Sequence, residues 1–142
     1  MWAIVIPVVL SGCNSHHANI DSSSFDVMVG ILKSVSVHPS KIEVITNNHS
    51  SGSNASITRK YESDAPFCEI KEFYLKHLTN QGWQLNEEQE LRDRGRFREE
   101  RGLHFTRGEF LLSVQFAGKR REDLGWDYAI RIAYPSDWKK KV

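Results

Sequence analysis

Arg92, Arg94, Arg96 and Arg98 occupy alternate positions, Arg101 follows three residues later, and Phe97 lies among them. A guanidinium presents a planar fork of donors that matches phosphate or carboxylate oxygens in pairs. These arginines on one hairpin could therefore grip phosphate, lipid head groups or acidic glycans. The same stretch carries Glu87, Glu88, Glu90, Asp93, Glu99 and Glu100, which nearly cancel the field. A solvated hairpin tip is the competing reading. Lys119, Arg120 and Arg121, with Lys139 to Lys141, add basic groups able to touch anionic lipid.

Other reactive side chains lack companions. Cys68 falls in the first turn of an expected helix, where the dipole favours a thiolate. No Cys-x-x-Cys partner exists and Glu69 opposes ionisation, so Cys68 reads as a partly buried, inert thiol. His16, His17, His38, His49, His77 and His104 lack metal-ligand spacing. The expectation is no metal and no cofactor. Ser136-Asp137-Trp138-Lys139 matches a Ser-x-x-Lys string, but the further motifs that make such a serine a nucleophile are missing. No phosphate loop, dinucleotide fingerprint or Gly-x-Ser-x-Gly elbow is present.

Trp2 to Leu10 is a short apolar run, followed by Leu10-Ser11-Gly12-Cys13. A membrane-spanning helix needs about 20 apolar residues, whereas a signal-peptide core needs roughly 7–15. The Leu-Ser-Gly-Cys string resembles the lipobox of bacterial lipoprotein precursors. That resemblance implies cleavage before Cys13, acylation of Cys13, and a cell-envelope address. Two or more acyl chains hold a protein firmly where one binds marginally. The basic residue that usually precedes the apolar core is missing. Asn14 in the next position favours the outer membrane if the cell is Gram-negative.

The organisation that follows is a signal peptide over 1–12, a lipidated cysteine and flexible tether over 13–24, and one α+β domain over 25–142. Nineteen basic and eighteen acidic side chains give a formal charge of +1, so no long-range field recruits nucleic acid. Hydrophobic content of 39% suffices for a core.

The elements must place these groups. Phe25 to Val37 fits a short helix, with Ser23 and Asp26 as a capping pair, although Phe25, Val27, Val29 and Ile31 also alternate as in a strand. Ile42 to Thr46 and Ile57 to Tyr61 read as strands around an exposed loop, Asn47 to Asn54. Phe67, Ile70, Tyr74 and Leu78 make the apolar stripe of a helix over about 66–81. Ser63 or Asp64 would cap it, Gly82 would end it, and Trp83 would fold back on its last turn. Beyond, the period changes to two: Trp83 and Leu85, Leu103 and Phe105, Phe110 to Phe116, and Trp126 to Tyr134. The expected fold is a two-layer α+β domain: an antiparallel sheet of about five to six strands with one main helix on one face.

The expected function is a non-enzymatic, membrane-tethered envelope lipoprotein that binds another protein or an envelope component, with sheet edges open to strand addition. The alternative is a small-ligand, lipid head-group or glycan binder using the arginine hairpin beside Trp83, Trp126 and Tyr128. An envelope hydrolase is a third class, requiring titratable groups that converge only in three dimensions.

Overall fold

The computed structural model describes residues 22–40, 42–51 and 54–134. Residues 1–12, expected as a signal peptide, Cys13, most of the expected tether, His16, His17, Ser136 and Lys139 to Lys141 lie outside the described residues. The chain runs α1 (Ser22–Ser34), β1 (Ile42–Ser51), β2 (Asn54–Glu62), α2 (Phe67–Asn80), β3 (Gln84–Asp93), β4 (Arg96–Arg107), β5 (Phe110–Phe116), a 3-10 turn at Gly118–Arg120, α3 (Arg121–Leu124) and β6 (Tyr128–Tyr134). The six strands form an open antiparallel sheet in the order β1-β2-β6-β5-β4-β3. The class is α+β.

α2 follows its expected stripe: Ile70, Tyr74 and Leu78 are fully buried. Gly82 takes a φ of +84°, and the Trp83 amide returns to the Leu78 carbonyl at 3.0 Å. That turn satisfies carbonyls the helix leaves open. The start of α2 differs from expectation. Pro66 stands at the cap and no side chain bonds to the first amides. Ser63 Oγ instead accepts from the Ala65 amide at 3.1 Å. Cys68 is exposed, because two residues before Ile70 is about 200° around a helix, on the wet side. α1 begins at Ser22, so Ser23 sits inside its first turn and not at its cap.

The loop expected over Asn47 to Asn54 is largely strand. Asn47, Asn48, His49 and Ser50 pair in register with Thr58, Ile57, Ser56 and Ala55. β1 is an edge strand, where polar residues are tolerated and composition alone misleads. Trp126 precedes β6 and is not part of it. Arg107 closes β4, and Gly108 turns with a φ of +59°.

The core joins Met28 and Leu32 of α1, Val35 just beyond it and the α2 stripe to Ile57, Leu103, Phe105, Leu112, Ile130 and Ile132. At its centre the Tyr61 and Tyr128 rings stack at 5.0 Å, with Tyr74 tilted at 6.0 Å from Tyr128. Burial raises the hydroxyl pKa of all three; that of Tyr128 is pushed up to about 12. An unfolded chain would release these protons near pH 10. Stability from these groups is therefore fully present below about pH 10 and is lost as pH rises through the folded values. A 295 nm absorbance titration should show tyrosinate appearing together with loss of near-ultraviolet circular dichroism. Early tyrosinate in a domain still folded would contradict the burial.

Candidate anion-binding arm

β3 and β4 run on past β5. β5 pairs with Arg101 to Arg107 only, so Arg96 to Glu100 have no β5 partner, and β3 pairs with Arg96 and Phe97. The resulting arm turns at Arg94-Gly95, with Asp93 paired to Arg96. A two-residue connection with φ of +47° and +81° is the twist-matched hairpin turn. Its first position normally takes Asn, Asp or Gly, because a Cβ there crowds the following carbonyl. Arginine fills it here.

The 3-10 turn and α3 brace the arm where β5 stops. Gly118 makes this approach feasible: a Cβ at that position would lie 2.5 Å from the Glu99 carbonyl and 2.6 Å from the Arg98 carbonyl oxygen. Glu99 itself bulges with φ +64°. Four ion pairs cross the junction: Arg98 Nη1 to Asp123 at 2.6 Å, Lys119 Nζ to Glu99 at 2.6 Å, Arg120 Nη1 to Glu100 at 3.0 Å, and Arg120 Nε to Asp93 at 3.8 Å. Hydrogen bonding to Asp123 also raises the Arg98 pKa. Glu100 is 6% exposed, and a buried carboxylate needs such a partner. A cleft of about 400 Å³ opens at this junction, lined by Arg98, Gly118, Lys119, Arg121 and Glu122. Its cations are all engaged, Arg121 by Asp127 at 3.0 Å.

The five arginines therefore separate into three roles. Arg98 belongs to the brace. Arg101 bonds to Glu90 at 3.1 Å and lies between the rings of Phe97, at 4.9 Å, and Phe67, at 5.9 Å. Arg92 lies 3.6 Å from Glu90 and 6.0 Å from the Phe97 ring. Arg94 and Arg96 are exposed at the tip, and among the described residues neither side chain has an ion-pair or hydrogen-bond partner. Phe97, 37% exposed, stands beside them. The acidic residues thus neutralise the base of the arm and leave its end cationic.

The aromatics expected to flank a ligand are placed differently. Tyr128 is wholly buried and Trp83 is 2% exposed, with Arg107 covering the Trp83 ring at 4.6 Å. Both belong to the core because their positions pack against α2. Trp126 lies under Lys60, 6.0 Å from the ring centroid. The β3 edge is also poorly suited to strand addition. It is broken by register shifts at Leu85/Glu87 and Glu90/Arg92 and carries charge along its length. His104 bonds to Ser113 at 2.9 Å within the sheet. Among the described residues no three His, Cys, Asp or Glu side chains gather as a metal site, and no helix is long and apolar enough to cross a membrane.

One family model, described as START domain-like, matches residues 42–123, more than half of the chain. The chain belongs to the START domain-like family. The START-like match opens at β1 and closes within α3, so it contains both the arm and its brace. No curated protein and no solved structure matches the chain.

Proposed function

We propose that this protein is a membrane-tethered cell-envelope binding module that engages an anionic component of the envelope through the tip of the β3–β4 arm. Acylated Cys13 would hold it at the membrane, and the arm's task would be recognition. The observation that carries the reading is Arg94. It occupies a left-handed turn position that costs an L-residue about 1–2 kcal/mol, and its side chain has no partner among the described residues. Strain retained at an exposed cation is an argument for use. START-like membership hints at ligand binding and fits this reading.

A two-layer arrangement, with the helices on one face of the sheet, is part of the proposal. Its support is the burial of Tyr128, Ile130 and Ile132 together with the α2 stripe, while Arg131 between them is exposed.

Co-sedimentation with phosphatidylglycerol vesicles, against phosphatidylcholine vesicles, tests the arm. The soluble Cys13→Ser protein should bind the anionic vesicles at low salt and lose them as salt rises. Arg94→Asn with Arg96→Ser should weaken that binding about tenfold. Arg94→Asn alone should raise stability in urea by about 0.5–1 kcal/mol, because Asn suits the turn. Equal binding to both vesicle types, or no loss in the double variant, would remove the arm from function. In a bacterial host the wild-type chain should carry acyl mass on Cys13, and Cys13→Ser should leave the membrane fraction. A wild-type chain without acyl mass would remove the tether.

A further inference from the structure

A second constellation lies where the segment after α1 meets the start of α2. His38 is 4% exposed. Its Nδ1 is 2.8 Å from Ser40 Oγ and its Nε2 is 3.1 Å from Glu69 Oε1. The proton positions follow from the partners. The Ser40 backbone amide, which can only donate, points at Nδ1 from 3.3 Å. Nδ1 therefore carries the lone pair, Nε2 carries the hydrogen and donates it to Glu69, and the Ser40 hydroxyl donates to Nδ1. Ser63 Oγ, 2.8 Å from Ser40 Oγ, already accepts from the Ala65 amide and is free to donate to Ser40. The chain of donors runs one way, from Ser63 through Ser40 and His38 to Glu69.

The surroundings suit a nucleophile. Ser40 is exposed while the imidazole behind it is covered, edge-on to the Phe73 ring at 5.2 Å. The His38 amide is fixed by the Tyr74 hydroxyl at 3.4 Å. Ser63 is held in turn by Asp127, whose Oδ2 accepts the Ser63 amide at 2.8 Å. Glu69 belongs to the first turn of α2, whose cap offers no side-chain acceptor. The Phe67 and Cys68 amides there have no acceptor within the helix. A hydroxyl, a base, a carboxylate orienting that base, and unengaged amides at a positive helix end are the parts acyl transfer requires.

We propose that Ser40 is a nucleophile toward carboxylic esters, with His38 as its general base and Glu69 as the residue that positions His38. Ser40 Oγ adds to the ester carbonyl as its proton passes to His38 Nδ1. The tetrahedral adduct collapses, its bond to the leaving oxygen breaks, and that oxygen takes the proton from His38. Water, deprotonated by His38, then adds to the acyl-Ser40 ester. Collapse releases the acid and returns a proton to Ser40. The site shares an end of the molecule with the arm: Phe67 of α2 contacts Arg101, and Asp127 is held by Arg121. The inference stands apart from the arm's role.

The test is covalent labelling of the full chain with a fluorophosphonate probe, read by intact mass and peptide mapping. One adduct on Ser40 is expected, absent from Ser40→Ala. His38→Gln should slow labelling about a hundredfold, and Glu69→Gln about tenfold or more. Glu69→Asp, which restores a carboxylate, should recover part of that rate, a recovery a merely structural contact would not give. Because Glu69 is largely exposed, its variants keep the test open should His38→Gln fail to fold. Wild-type protein unlabelled at Ser40, or labelled at an unchanged rate in Glu69→Gln, would overturn the proposal.

Discussion

Gly118→Ala is expected to lower stability by about 2–4 kcal/mol, a large loss for one added methyl group. Two effects combine. The new Cβ would sit 2.5 Å from the carbonyl carbon and oxygen of Glu99. Those atoms are backbone and cannot swing aside like the end of a side chain, so one segment must move, at the cost typical of overpacking. The φ of +57° adds the left-handed penalty. Moving the segment separates Arg98 from Asp123, Lys119 from Glu99 and Arg120 from Glu100. The last matters most, because Glu100 is buried and would be left without its cation. Urea denaturation measures the loss, and amide exchange should show the added opening concentrated in Arg96 to Glu100. A variant within 0.5 kcal/mol of wild type (the scatter of ordinary surface substitutions) would mean that the arm is not braced here.

The second large effect concerns the tyrosine cluster. Tyr128→Ala should cost about 3–5 kcal/mol, the range for removing a fully buried aromatic ring. The ring is packed against Tyr61 and Tyr74 and is wholly buried. No neighbour can fill the space without leaving its own contacts. Tyr128→Phe keeps the ring and should cost less than about 1.5 kcal/mol, as volume-conserving changes do. Paired thermal melts separate the two. Equal, small losses would mean that the rings do not carry the core.

How far the sequence disclosed this molecule depends on the range of the interaction concerned. α2 was legible from end to end except at its cap, since its stripe, Gly82 and Trp83 act within a few residues of one another. Gly82 and the Trp83 amide behave as local chemistry requires. The cap is not legible because the Ser63 hydroxyl is taken by the Ala65 amide and by Ser40, 23 residues away, while Asp127, 64 residues away, holds its amide. The arm was visible as arginine alternation. Its tip was not, because Arg94 is the wrong residue for the turn it occupies. Which arginine is paired depends on Asp123 and on the brace, and no spacing rule reaches that far. Ser40, His38 and Glu69 form no motif, because Glu69 arrives from another element 31 residues beyond His38. Cys68 was placed on the wrong side for want of helical phase: Ile70 sets the buried face, and Cys68 lies opposite.

The strand order has a consequence for how the domain comes into being. β6 lies between β2 and β5. Until it is in place, the sheet is two separate pieces: the β1–β2 hairpin and the β3–β4–β5 meander. Each piece alone buries little, and the tyrosine cluster draws Tyr61 from the first and Tyr128 from β6 itself. Cooperative folding therefore waits for the strand furthest along the sequence. A chain emerging from the ribosome would stay open until Tyr128 to Tyr134 had been made. The topology delays closure of the sheet until the last of the described strands has been synthesised.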